Sequence, residues 1–317
     1  MGTATRVQPS HDPHGEELSG DEALSALRDY GRWRLVRDAF IRFRYADGFS
    51  HARALAFQTV VALLPFLIAV VGLSAVLHTE KVGQVAELTL RQLTSGPSSG
   101  VVQQVLDRSR DSADDGGQLA LWLGALFSLV NVATAMCQIE RGANRIYGLE
   151  RDRPFHRKYL RGLLMAVTAG LPLGLGFVLM VAGQQIARSA DEVYGVGSAT
   201  AAAWALLRWP AGVLLTLISA SVIFRRAPRR TQPGYTWLAF GAAVYLVLWT
   251  ALTWALSLYL RLSGSFDAVY GPLSAFVSLL MWAYLTAIAL FLGLAFAAQL
   301  EAVRGGLTEP VLPDPGA

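Results

Sequence analysis

Charge is scarce in this chain, and it is missing in long blocks. Asp, Glu, Lys and Arg make up 16% of residues and apolar types 53%, against about 25% and about 45–50% in soluble domains. That balance argues against a string of soluble domains and for one membrane bundle. A single cysteine, Cys137, rules out a disulfide framework within the chain. The five histidines, His11, His14, His51, His78 and His156, are scattered over a tail and loop ends without metal-ligand spacing. "SHDPH" is their nearest approach to a cluster, and it has no partners. There is no G-x-S-x-G, the apolar runs hold no histidine or carboxylate to activate a serine, and "GLPLGLG" lacks the setting of a phosphate loop. No enzyme, metal site or cofactor is expected.

Six charge-free apolar runs are present, at about Ala54 to Leu77, Leu119 to Ile139, Gly162 to Ala187, Trp209 to Phe224, Trp237 to Leu260 and Tyr270 to Leu300. Crossing roughly 30 Å of hydrocarbon at 1.5 Å per residue takes about 20 residues. The runs therefore predict an all-α, polytopic membrane protein with six transmembrane helices. The fourth is short unless it extends back through "AAAWALLR", which would put Arg208 near the far boundary.

Basic residues mark one side. Arg34, Arg37, Arg42, Arg44 and Arg53 precede the first run, seven more lie between Arg141 and Arg161, and "RRAPRR" follows the fourth. Alternate loops hold few, so both termini are expected in the cytoplasm. The net charge of +4 then reflects topology, not nucleic-acid binding.

Residues 1–22 are polar and lack a secretory pattern, and they read as a disordered cytoplasmic tail. The membrane domain is expected over 23–304, with a second cytoplasmic tail at 305–317. From Ala23 to Tyr45 arginines alternate with Leu24, Leu27, Leu35, Phe40, Ile41 and Phe43, as in an amphipathic helix lying at the interface. The long loop at 79–118 reads as two amphipathic helices capping the outer face.

Polar side chains inside the runs form stripes at helical spacing. Ser128, Asn131, Ala135 and Gln138 share one face of the second run, and Thr250, Thr253 and Ser257 share one of the fifth. Both stripes are expected to face protein or a cavity, as substrate path or as interhelical glue. Pro65, Gly170, Pro172, Gly174, Gly271 and Pro272 are candidate hinges. Arg208, followed by Trp-Pro, is the candidate contact for an anionic headgroup. Trp122, Trp204, Trp209 and Trp237 are expected in an interfacial belt, and Trp249, Trp254 and Trp282 deeper, in packing.

Five pieces in order, "ALAFQTVVALLPF", "ERGANRIYGLERDRPF", "LLRWP", "FRRAP" and "YLRLSGSFDAVYGPLSAFVSLLMWAYL", resemble the YihY/BrkB family of bacterial inner-membrane proteins. The resemblance runs from about Val36 to Arg304. It singles out Asn144, Arg145 and Tyr147 at the inner end of the second run and Tyr270 at the outer start of the sixth. Where the family reads Gly-Ala-Glu-Leu-Asn near the end of the last span, "GLAFA" places Ala295 and Ala297 at the polar positions. Members have been called ribonuclease BN, virulence factor or transporter, and the resemblance implies a location in the bacterial inner membrane.

The expected function is movement or handling of a lipid-like or amphiphilic substrate, with membrane lipids as partners. A ring of buried ionisable groups would count against it. A scaffold for envelope assembly is the alternative, and a ribonuclease is third. Substrate, coupling ion and homo-oligomer formation are left open by the sequence.

Overall fold

The computed structural model describes residues 7–10, 18–76, 85, 88, 118–195, 197–263 and 266–312. Among these the architecture is all-helical, and extended backbone pairs at one place, Val7 with Val311. The helices are α1 (Gly20–Tyr30), α2 (Arg32–Tyr45), α3 (Gly48–Val76), α4 (Gln118–Ile146), α5 (Phe155–Met165), α6 (Leu171–Val181), α7 (Gly183–Tyr194), α8 (Ser198–Arg226), α9 (Tyr235–Leu262), α10 (Phe266–Tyr270) and α11 (Ser274–Arg304).

Five stretches among the described residues are long and apolar enough to cross a membrane: Trp122–Ile146, Phe155–Val181, Ala202–Arg226, Tyr235–Leu262 and Phe276–Arg304. The first run of the sequence lies on α3, a helix of 29 residues. The outer loop at 79–118, apart from isolated positions and Gln118, lies outside the described residues, as does "SHDPH" beyond Ser10.

Helix ends differ from the charge-free runs in ways the backbone explains. The third span begins at Phe155, so Arg157, Lys158 and Arg161 sit on its first turns. It ends at Val181, where α7 begins as a separate amphipathic helix. The fourth does extend back, placing Arg208 within α8. In the third span a π-helical turn, Ala166–Gly170, joins α5 to α6 just before Pro172. Proline cannot donate to the carbonyl one turn back, and a widened turn absorbs that loss without ending the helix. Pro65 lies inside the continuous α3, while Gly271, at φ +51°, opens a short 3-10 turn through Pro272. Gly170 abuts Met136 and Gly174 faces open space.

The expected single amphipathic helix from Ala23 to Tyr45 is two helices. Gly31, at φ +90°, separates them, a conformation that suits a residue without Cβ. Ser19 and Glu22 form a capping box at the start of α1. In α2, Leu35, Ala39, Arg42 and Phe43 are buried against the bundle, while Trp33, Val36 and Phe40 face outward.

α11 is the central helix: it packs on α2, α3 and α9, while α3 lies along α4, and α8 joins α6 to α9. Close crossings need glycine. A Cβ on Gly241 would meet the Gly293 carbonyl oxygen at 2.6 Å, and one on Gly176 would meet Thr216 Oγ1 at 2.7 Å. Such contacts bring backbones together as small residues do in membrane bundles. The outer faces carry Leu126, Phe127, Leu164, Leu171, Leu175, Leu214, Ile218, Val247 and Trp254, all exposed. An apolar exterior around a packed interior is what lipid solvates and water does not.

Candidate functional site

The spans deliver their polar ends to one end of the bundle, the arginine-rich one. Asn144, fully buried on α4, donates from Nδ2 to Asp152 Oδ1 (2.8 Å) and accepts at Oδ1 from the Arg229 backbone N–H (2.8 Å). One side chain thereby ties the loop after α4 to the loop after α8. Arg153 completes the tie. It pairs with Glu140 at 2.9 Å and donates to the carbonyls of Ala227 (2.9 Å) and Pro228 (2.8 Å). Arg229 Nη1 donates to the Asp152 carbonyl (2.9 Å), and Arg145 Nη1 donates to those of Leu149 (3.3 Å) and Glu150 (3.0 Å).

Asp152 is the acidic centre of this clamp. Lys158 Nζ lies 2.8 Å from its Oδ2 and Arg141 Nε 3.4 Å. Burial alone would raise its carboxyl, but the hydrogen bonds from Lys158 and Asn144, with the charges of Lys158 and Arg141, hold it below the ordinary value.

Beside the clamp, α2 inserts Arg42 with no exposed surface. Its Nε donates to Gln299 Oε1 (2.8 Å), and Nη1 donates to the carbonyls of Gln8 and Ile146 (both 3.0 Å). Burial lowers this guanidinium to about 10. Arg230 hydrogen-bonds Glu301 and Ser10 and lies 4.8 Å over the ring of buried Tyr147. Val7 to Ser10, within the segment expected as a tail, thus lie against the bundle, with Val7 and Ser10 buried.

Sequence reasoning ranked this end too low. Glu140, Gln299 and Glu301 stand within a residue or so of where the charge-free runs stop, and all three are buried. The polar positions near the end of the last span are Gln299 and Glu301, in "AAQLE", and not Ala295 and Ala297, which lie buried among apolar neighbours. The order small, small, polar, Leu, polar was the available signal.

The stripes separate. On α4, Ser128, Ala135 and Gln138 are buried, and Gln138 Nε2 lies 2.9 Å from His51 Nδ1 on α3. Asn131, nearer the surface, donates to the Phe127 carbonyl of its own helix (2.8 Å). On α9 the stripe does not face inward. Thr250 is exposed and donates to the Leu246 carbonyl (2.9 Å), Thr253 and Ser257 are half-buried, and the inward line is Leu238, Ala242, Tyr245, Trp249 and Leu256. Large side chains dominate α9 packing, and the Thr250 hydroxyl bonds its own helix backbone instead.

At the opposite end, Arg208 is half-buried. Its guanidinium carbon lies 5.6 Å from the Trp209 ring, its stem passes Gly183, and its Nε has no hydrogen-bond partner among the described residues. Leu206, Leu207 and Trp209 around it are exposed. Trp122 and Trp209 are exposed near span ends as a belt requires, whereas Trp237 is fully buried and Trp254 is 68% exposed, reversing their expected places. Tyr270, at the same end as Arg208 in the sequence reading, stacks obliquely on Phe266 at 4.7 Å.

A many-helix, apolar-faced bundle with a polar clamp at one end defines an integral membrane protein of several spans. The family model described as Virulence factor BrkB matches residues 39–312, and the chain belongs to that family. It is 25% identical over 260 residues to the ribonuclease-like protein YfkH of Bacillus subtilis, covering 81% of this chain and 92% of that one. It is 28% identical over 272 residues to a UPF0761 membrane protein of Chromohalobacter salexigens and 25% identical over 261 residues to one of Acinetobacter baylyi. These alignments cover 84% and 80% of this chain but only 63% and 58% of those proteins. No solved structure matches the chain.

Proposed function

We propose that this protein lies in the bacterial cytoplasmic membrane with six spans and both termini inside, and binds and moves a lipid-like amphiphile with an anionic headgroup. The observation that carries the reading is Arg208. It is a cation set among exposed apolar side chains, with its buried Nε–H unmatched among the described residues. A guanidinium in that setting binds phosphate or carboxylate well, because its hydrogen bonds are charge-assisted and the surroundings are poor in water. Trp33, Val36 and Phe40 on α2, interleaved with Arg34, Arg37 and Arg44, support contact of that helix with an anionic leaflet.

An enzymatic role fits less well. The carboxylates Glu140, Asp152 and Glu301 are each engaged by arginine or lysine in contacts that tie the bundle end together. Buried ionisable groups do occur, and they weigh toward the second reading, a scaffold. The pairs Arg153–Glu140 and Arg230–Glu301 tie elements together at one end of the bundle.

Headgroup-labelled phospholipid in liposomes distinguishes the two. Translocation by the wild type that falls at least severalfold in Arg208→Ala supports the lipid path. Translocation no faster than in empty membranes, from folded protein, rejects it in favour of the scaffold.

A further inference from the structure

Arg161 and Arg226 come together on the outer surface of the bundle, where the third and fourth spans reach the arginine-rich end. Arg161 stands on α5 and Arg226 is the last residue of α8. Arg226 Nη1 donates to Thr168 Oγ1 (3.2 Å), and the Thr168 hydroxyl donates to the Leu164 carbonyl (2.8 Å). The head of Arg226 is thereby drawn across onto the third span. On that span Arg161, Leu164, Val167, Thr168 and Leu171 are all exposed.

Neither cation has a carboxylate of its own among the described residues. The charged groups around Arg161 are Arg153, Glu140 and Arg226. Arg153 and Glu140 engage each other at 2.9 Å, so the neighbour left to Arg161 is a second guanidinium. The one hydrogen bond of Arg226 among the described residues goes to a neutral hydroxyl, and Arg161 makes none there. Nearby basic groups are occupied: Lys158 and Arg141 by Asp152, Arg145 by two carbonyls, and Arg225 over the Tyr235 ring at 4.2 Å. Like charges repel more strongly where hydrocarbon displaces water, and an anion set between them removes that repulsion. The apolar wall beside them selects the kind of anion. A phosphodiester on a glycerolipid meets both guanidiniums with charge-assisted hydrogen bonds while its acyl chains lie along Leu164, Val167 and Leu171. A zwitterionic headgroup would add an ammonium among cations, since Glu140 is already held by Arg153.

We infer that Arg161 and Arg226, the latter positioned by Thr168, bind the phosphodiester of one anionic phospholipid of the phosphatidylglycerol class, in the leaflet at the arginine-rich end. This lipid is retained and bridges the third and fourth spans. Arg208 lies about 27 Å away along α8, at 1.5 Å per residue. The site therefore stands or falls apart from the lipid path.

The test is native mass spectrometry of the full chain in mild detergent, freed of lipid and titrated with phosphatidylglycerol, phosphatidylethanolamine or glycerol phosphate. The expected result is a first phosphatidylglycerol bound about tenfold more tightly than phosphatidylethanolamine, and no adduct with glycerol phosphate. Arg161→Gln and Arg226→Gln should each weaken that first lipid about tenfold, as loss of a hydrogen bond to a charge does. Arg225→Gln removes the same charge next door and should leave it unchanged. Thr168→Val keeps both arginines but releases Arg226, and should weaken the lipid severalfold, so the outcome does not depend on whether an arginine variant folds. Equal binding of the two lipids, or an equal loss in Arg225→Gln, overturns the site in favour of diffuse attraction to a basic surface. Glycerol phosphate bound as tightly as the lipid overturns it in favour of a soluble anion.

Discussion

Arg42 on α2 donates to Gln299 on α11 across 257 positions of sequence, at 2.8 Å and away from water. That bond joins the second helix of the chain to the helix at the centre of the bundle. Arg42→Met would strip donors from Gln299 Oε1 and from the carbonyls of Gln8 and Ile146 at once. With about 1–3 kcal/mol for each buried acceptor left short, and some relaxation, a loss of about 3 kcal/mol is expected. Thermal unfolding in detergent checks it. Arg42→Met and Gln299→Leu should combine non-additively, and strictly additive losses would show that the two side chains act independently.

The Arg153–Glu140 pair is expected to couple strongly. At 2.9 Å, with side-chain exposures of 11% and 2%, neither partner is well solvated, unlike a surface ion pair worth at most about 1 kcal/mol. Glu140→Ala alone leaves Arg153 buried without its carboxylate, and Arg153→Ala alone leaves the reverse. A double-mutant cycle should give a coupling of about 1–3 kcal/mol. A coupling near zero would mean that the two carbonyl bonds of Arg153, to Ala227 and Pro228, hold the clamp by themselves.

The apolar spans were legible because length and absence of charge decide them. Trp122–Ile146 and Tyr235–Leu262 fall close to their charge-free runs. Their ends were less legible, since Lys158 and Arg161 sit on a helix turn where charge alone suggests a loop. The site was legible only in part. Asn144, Arg145 and Tyr147 were singled out, while Glu140 and Glu301 fell just outside the runs and Arg42 passed as one of many topology-setting arginines. Periodicity cannot say which of several arginines turns inward; only the partner helix does. The stripe on α9 misled for a related reason, because hydroxyls can bond their own helix and so need not face a neighbour.

Acid should loosen the clamp through Asp152. Its folded-state pKa lies below the ordinary 3.8, so the unfolded chain binds its proton first as pH falls. The contribution is therefore present in full above the ordinary value and lost as pH falls through the folded one. Asp152→Asn should be less stable than wild type at neutral pH, and the gap should shrink in acid as wild-type Asp152 protonates. Unfolding midpoints of the two proteins across that range measure the gap. A gap that widens in acid would reverse the sign and refute the assignment.

Two glycines two residues apart, Gly174 and Gly176, separate packing from hinge motion in the third span. A Cβ on Gly174 meets nothing within 4 Å, whereas one on Gly176 meets Thr216 Oγ1 at 2.7 Å and the Gly212 carbonyl oxygen at 3.1 Å on α8. If the span serves as static packing, Gly174→Ala should be neutral or stabilising by up to about 1 kcal/mol, since alanine costs less helix entropy. Gly176→Ala should cost about 1–3 kcal/mol, because the α6–α8 crossing must open to admit a methyl group. If instead Gly174 is a hinge, Gly174→Ala should leave thermal stability intact while slowing whatever transport the liposome assay detects. Stability and translocation measured on the same two variants thus assign Gly174 to one role or the other, with Gly176→Ala reporting how closely the two helices must meet.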